Sequence, residues 1–513
     1  MFAIVFGQLA GLARGILVAR QFGASLELDA FFAANRVSET LFLLIAGGAL
    51  GSAFIPTFTG LLAKDDKASA WRLASALANA VTLTLSLLAA LIALLAPQVV
   101  RFALAPGLSA DPVLFGLTVA LLRIQLISAV LFGIGGLIVG ILNAHQVFLV
   151  PALTPAMYQL GIIFGALVLA PSMGIYGLAW GVVIGAVLYL LVQFPSLFKL
   201  PTERQLVITN YWSLGLHDKN VHQVLLLMGP RLLGVAIVQL NFWVNTNLAS
   251  RMDEGSVASL TYGFSLMLMA QTAIAQSVAI AAMPTFSAQH ALGKTDEMRA
   301  SLAASLRGVL LMALPASVGL ILLREPLISF LYQRGKFDEH DVQLTAWALL
   351  WYAAGLVGHS VMEVLTCAFY AQQDTKTPVI IGTIAMGLNV VLSILFSQYF
   401  AQIGWLPLGG LALANSLATA LEATALFIFM RKRLNGIEGK HIARGFLQAS
   451  IGTLTMSIIL FPWLGFKSVI PLWLLVIGGI TAGGLTYTLI LTGLSVPEVR
   501  GLLRFVQRRI QRT

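Results

Sequence analysis

FYAQQDTKTPV (residues 369–379) places two glutamines, an aspartate, a lysine and a proline between long apolar runs. A counterpart, ILNAHQVFLVP (141–151), interrupts the first half of the chain in the same way. Two further pairs line up around them. IPTFTGLLAKDDKASAWR (55–72) resembles MPTFSAQHALGKTDEMR (283–299), and APQVVRF (96–102) resembles REPLISF (324–330). The matching prolines are Pro56 and Pro284, Pro97 and Pro326, and Pro151 and Pro378, at offsets of 228, 229 and 227 residues. So constant an offset marks an internal repeat, with the two polar phrases as one elbow used twice. In each elbow the proline opens the next helix, where its missing N–H costs nothing. The polar residues satisfy the turn at a water interface.

The apolar runs decide the class. Of 513 residues, 58% are hydrophobic and only 10% charged, against about 25% charged in a soluble domain. Mean hydropathy is +0.89. No water-soluble fold hides this much apolar surface, so the chain reads as an integral membrane protein. The single cysteine, Cys367, excludes an intrachain disulfide and a four-cysteine metal site. The net charge of +10 fits basic cytoplasmic loops better than nucleic acid, because no basic tract is interleaved with aromatics. The N-terminus lacks the charged region and small-residue cleavage site of a removable signal peptide.

A transmembrane helix needs about 20 mostly apolar residues. That rule predicts fourteen transmembrane helices, at roughly 1–22, 29–58, 71–96, 114–143, 147–170, 174–199, 222–250, 256–287, 299–323, 343–370, 377–401, 405–431, 443–463 and 469–493. The runs are too long, and alternate too little, for barrel strands. The even-numbered loops and the C-terminal tail hold 19 Lys and Arg residues and the odd-numbered loops 6. The even loops and both termini are therefore expected in the cytoplasm. Six segments per repeat return the chain to its starting side, which predicts two parallel six-helix lobes related by an axis along the membrane normal. The expected division is a lobe at 1–215, a lobe at 216–432, and two terminal helices with a basic tail at 433–513. The terminal pair falls outside the repeat, so it reads as an appendage dispensable for folding of the lobes. Two such lobes suggest a transporter with its site between them.

The stretches GLARGILVARQFG (11–23), LDAFFAANR (28–36), ALGSAFIPTF (49–58), GILNAHQVFLVPALTP (140–155) and FYAQQDTKTP (369–378) resemble the MurJ/MviN family of lipid II flippases. The family lies within the multidrug/oligosaccharidyl-lipid/polysaccharide exporter superfamily, and the resemblance covers essentially the whole chain. It implies alternating access of two lobes around a cationic cavity that receives the diphosphate and sugar-peptide head of lipid II. It also implies a groove for the polyprenyl tail on the last two helices, and residence in the bacterial cytoplasmic membrane. Arg14 and Asp29 match a family arginine of segment one and the family aspartate opening segment two. Arg36 and Arg123 match basic positions of segments two and four. Elsewhere the chain departs from the family pattern. It has Gly7-Gln8 where the family usually has Ser-Arg, Phe42 and Leu43 where it has arginines, Gly47 where it has an acid, and Ser265 in place of an arginine of segment eight.

A charge at the centre of a span costs about 2.5–3.5 kcal/mol on insertion scales, so each is a functional hypothesis. The candidate substrate residues are Arg14, Asp29, Arg36, Arg123 and Arg231. Arg14 and Asp29 differ in depth by roughly 5 Å at 1.5 Å per residue, so they are expected to pair across the first hairpin. Arg36 and Glu39, three apart, share a helix face and either neutralise each other or meet substrate. Arg123 faces either a cavity or the membrane interface. Arg231 either replaces a lost cavity charge or snorkels to the cytoplasmic surface. His359 and Glu363, four apart, form a candidate ion-coupling pair or a polar patch between helices. Glu422 stands alone.

No enzyme motif is present. ALGKTDE (291–297) lacks the second glycine of a phosphate-binding loop, since position 288 is alanine. No cofactor and no metal site is expected, and transport would draw on membrane potential, an ion gradient or downstream consumption. Two alternatives remain beside a lipid II flippase. One is an exporter of another polyprenyl diphosphate-linked glycan or amphiphile, and the other is a non-transporting scaffold. Membrane lipids and cell-wall synthesis proteins are the remaining candidate partners.

Overall fold

A computed structural model describes residues 2–44, 49–200, 214 and 218–499, and these are helical throughout their regular structure. The long helices are α1 (Phe2–Phe22), α2 (Leu26–Phe42), α3 (Ala49–Ala63), α4 (Lys67–Leu94), α5 (Pro112–Ala144), α6 (Leu149–Phe164), α7 (Ile175–Leu191), α8 (Lys219–Ala249) and α9 (Ser256–Gln271). They continue with α10 (Ser277–Ala291), α11 (Thr295–Tyr332), α12 (Glu339–Ala354), α13 (Leu356–Ala371), α14 (Lys376–Gln402), α15 (Leu408–Arg433), α16 (Gly439–Leu464) and α17 (Leu472–Gly493). The chain is an all-α, multi-pass membrane protein. Among the described residues ten helices are long and apolar enough to cross a bilayer, or eleven if α12 and α13, bent by 46° at Gly355, form one broken span. Of the other three expected spans, 1–22 and 29–58 include residues outside that description, and 222–250 includes side chains outside it.

The repeat is written into the backbone. Gln146 and Gln373, both non-glycine, adopt φ of 62° and 59°. In each elbow the residue after that glutamine closes the helix end. The Val147 amide donates to Leu142 O at 2.9 Å, and the Asp374 amide to Phe369 O at 3.1 Å. This is a left-handed helix cap, usually made with glycine. Pro151 and Pro378 then sit third in α6 and α14, within the first turn. Asp65 and Gly293 share a second left-handed position, at φ 58° and 68°. A π segment recurs too, at residues 43–44 and at Thr272–Gln276.

The second elbow carries more polar chemistry than the first. The Asp374 carboxylate accepts the Thr377 amide at 3.0 Å and the Thr377 hydroxyl at 2.7 Å. It also pairs with Arg433 at the end of α15. Burial alone would raise the Asp374 pKa, but these donors and the Arg433 charge outweigh it and hold it down at about 2.

The chain forms two compact units. The first comprises Met1–Ala258 with Arg334–Phe337, and the second Ser259–Gln333 with Asp338–Thr513. Compactness and repeat thus divide the chain at different places, because α8 packs on α3 and α2. In the first unit α5 lies against α2, α4 and α7, and α6 against α1 and α7. At the α6–α7 contact, a Cβ on Gly161 would fall onto the backbone of Gly185, so only glycine permits that approach.

In the second unit α11, 38 residues long, is the spine. α10, α12, α13, α16 and α17 all pack on it. Its Leu302, Leu306 and Val309 join Phe286, Leu365, Phe369 and Met430 in a buried core. The terminal helices are no loose appendage. Leu311 of α11 packs with Ala449, Met456 and Leu460 of α16 and with Tyr487 and Leu491 of α17.

Candidate functional site

The polar cluster of the first unit is built on α2. That helix begins at a side-chain cap, Ser25, and then runs small and apolar on its buried face while carrying Asn35, Arg36, Glu39 and Thr40. Arg36 Nη1 lies 3.1 Å from Glu39 Oε2. Asn35 Nδ2 donates to the other carboxylate oxygen at 2.8 Å. The Arg36 guanidinium also stands 5.0 Å from the centroid of the Phe242 ring, within cation–π range. Of the two sequence readings, mutual neutralisation describes Arg36 and Glu39 in this conformation. Next to them, Thr40 receives a hydrogen bond from Trp243 Nε1 at 2.8 Å and donates to Gln239 at 3.3 Å. Both partners lie on α8, so α2 and α8 are joined by polar contacts inside their spans.

Arg14 lies on α1, beside α6, within electrostatic reach of the Tyr158 hydroxyl, which Glu39 also approaches. It forms no ion pair with another described residue. The expected Arg14–Asp29 pair is absent. Asp29 is buried and turned to the start of α9 instead, where its carboxylate accepts the Gly255 amide at 3.0 Å and the Ala258 amide at 2.7 Å. The physical reason is that a helix start presents several unpaired N–H groups and partial positive charge, a better partner for a buried carboxylate than one distant guanidinium. Asp29 is therefore a cap, and Arg14 is not its partner.

Arg123 is exposed and donates from Nε to Ala93 O at 3.0 Å, in the last turn of α4. A cation at a helix C-terminus is a favourable brace. Arg231 belongs to α8, but its side chain lies outside the described residues. Where the family carries other cations, Phe42 packs against Phe132 with ring centroids 5.0 Å apart, and Ser265 bonds back to Thr261 O of its own helix at 2.7 Å. Gly47 lies outside the described residues.

The ion-coupling candidates belong to the second unit and do not meet. His359 is buried, and its Nε2 lies 3.2 Å from Asn415 Oδ1 on α15. Glu363, one turn further along α13, forms no ion pair with a described residue. Packing of α13 on α15 supplies histidine with a neutral partner, which spacing along one helix does not show. Glu422 is buried too, and a Cβ on Gly382 would stand 3.1 Å from its Oε1.

One ionisable group went unremarked in the sequence. Arg307, within the expected span 299–323, is only 2% exposed. The rule that singled out the other intramembrane charges applies to it equally.

Comparison with known proteins agrees with this architecture. The family model described as "Lipid II flippase MurJ" matches residues 18–477. A lipid II flippase MurJ of Burkholderia cenocepacia is 33% identical over 431 residues, covering 84% of this chain and 82% of that protein. A probable lipid II flippase MurJ of Vibrio cholerae is 30% identical over 432 residues, covering 82% of this chain and 80% of that protein. Among solved structures, one described as "Lipid II flippase MurJ, inward closed conformation" is similar with a TM-score of 0.80 at 25% identity, covering 98% of this chain and 99% of that one. An inward-facing transporter of the multidrug resistance MATE family shares the fold at 17% identity, with a TM-score of 0.70.

Proposed function

This chain belongs to the lipid II flippase MurJ family, and from that premise we propose that it moves lipid II from the inner to the outer leaflet of the bacterial cytoplasmic membrane by alternating access. What carries the reading is likeness over most of the sequence and nearly all of the fold to proteins named for that activity. The physical task is to take a diphosphate and its sugars past ~30 Å of hydrocarbon. Arg14 is the side chain proposed to meet the diphosphate, because a guanidinium fork binds phosphate bidentately and no described carboxylate claims it. Arg36 is held by Glu39 and Phe242, so it contributes to the head-group site after exchange of Glu39 for substrate. Arg123 and Arg231 are weaker candidates, the first because it braces α4.

The protein acts as a transporter without chemistry on its substrate. His359, Glu363 or both are proposed to respond to a proton or cation gradient, through the Asn415 contact rather than through each other. Both termini and the even-numbered loops are assigned to the cytoplasm from their Lys and Arg excess. The repeat lobes, 1–215 and 216–432, are proposed as the bodies that alternate. Cell-wall synthesis proteins that consume lipid II outside the membrane are the proposed partners.

A second reading, export of another polyprenyl-linked glycan, is favoured by Phe42 and Ser265 at positions where the family carries arginine. The decisive experiment is rescue of a bacterium depleted of its lipid II flippase. Growth with normal lipid II translocation supports the first reading. Failure despite normal membrane abundance would overturn it and leave the second.

A further inference from the structure

A guanidinium within a span must be paired or reach water. Arg307 lies about 12 Å along α11 from residue 299, the expected start of the span. It is paired from two separate places in the chain. Its Nε lies 2.7 Å from Glu498 Oε1, beyond the end of α17. Its Nη2 donates to Glu498 Oε2 at 3.3 Å and to Gln448 Oε1 of α16 at 3.0 Å. His441 Nδ1, also on α16, is 3.5 Å from Nη1. Gly445 sits against the arginine stem, where a Cβ would stand 2.5 Å from Cγ, so α16 approaches this closely only with glycine there. One turn further along α11, the Tyr487 hydroxyl of α17 donates to Leu311 O at 2.6 Å.

We propose that the Arg307–Glu498 pair is a latch that makes α16 and α17 move as one body with α11 during transport. The terminal pair is then a working part of the second unit, and Arg307 is a positioning residue that never touches substrate. The chemistry supports a lock rather than a passive contact. Glu498 accepts one hydrogen bond, from Nη2, while its other oxygen stands close to Nε without one, and a buried charge that loses its partner is strongly destabilising. The latch also reaches from inside α11 to just beyond α17, so it closes only when α17 has inserted.

The test uses the full chain with Cys367→Ser and spin labels at Met312 of α11 and Ile451 of α16, both exposed. The label-to-label distance distribution and lipid II translocation are measured in the same vesicles. The wild-type pair should give one narrow distribution, unchanged by lipid II. Glu498→Gln should broaden it and lower translocation per folded molecule about ten-fold. If Glu498→Gln leaves too little protein, Arg307→Met/Glu498→Gln removes the buried charge and should fold, with the same broadened distances. A distribution that shifts on adding lipid II with the latch intact would overturn the proposal. So would wild-type distances and rates in the double variant. The translocation readout rests on the flippase reading. Absence of lipid II movement by the wild type sinks that reading alone, and the distances still decide the latch.

Discussion

Asp29 accepts the amide of Ala258 at 2.7 Å across 229 residues of sequence. This one contact separates two residues that the first hairpin would put together. Asp29 acts on the start of α9, and Arg14 stands apart from it. Asp29→Ala removes a helix cap, a loss of about 0.5–2 kcal/mol, so it is expected to lower folded abundance. The effects of Asp29→Ala and Arg14→Ala on thermal stability should add to within about 0.5 kcal/mol, as for uncoupled sites. A coupling above 1 kcal/mol in that double-mutant cycle would restore the pair that the geometry denies.

Arg14→Ala is expected to weaken substrate binding by one to two decades, since a charge-assisted hydrogen bond contributes roughly 1.5–3 kcal/mol. Arg14→Lys should also be impaired, because an ammonium keeps the charge without the fork. Membrane abundance and lipid II translocation, measured side by side, provide the check. Normal translocation per folded molecule in Arg14→Ala would end the substrate-contact role.

The Asp374 pKa of about 2 sets a pH window. A folded pKa below the ordinary aspartate value of about 3.9 stabilises the fold fully above that value. The contribution fades as pH falls from about 4 through 2. In detergent melts, wild type should therefore lose stability over that acid range relative to Asp374→Asn, with a constant gap from pH 5 to 8. A gap that instead changes near pH 6 would assign the titration to another group.

Truncation after residue 440 removes His441, Gln448 and Glu498 together with the α16 surface that covers Arg307, and leaves that charge unpaired within its span. An unpaired charge inside a span costs about 2.5–3.5 kcal/mol on insertion scales. The shortened chain should therefore accumulate poorly, and adding Arg307→Met should recover much of it. Equal abundance with and without that substitution would return the terminal pair to the status of a dispensable appendage.

Loop 197–221 and the C-terminal tail should face the same, cytoplasmic side. Single cysteines placed in either, with Cys367→Ser, should resist an impermeant maleimide added outside cells and react after permeabilisation. External labelling of either would reverse the orientation drawn from the charge bias.

The class, ten of the expected spans (eleven if α12 and α13 form one), and the repeat were legible in the sequence because they are local properties. Twenty apolar residues, a basic loop, or a proline in the first turn of a helix each act within one segment. Even the elbow was visible from its polar interruption, although its left-handed residues, Gln146 and Gln373, are glutamines where a cap would usually signal itself with glycine. Charge pairing was not legible. Spacing along one helix put Arg36 beside Glu39, as in the structure, and offered His359 and Glu363 as an ion-coupling pair or a polar patch, while the first hairpin put Arg14 within reach of Asp29. The structure instead gives His359 to Asn415, Asp29 to the start of α9, and Arg307 to Glu498. In a membrane, lipid-facing and core-facing surfaces are alike apolar, so hydropathy does not say which helix faces meet. Only the packing of helices far apart in the chain decides which buried charges find one another.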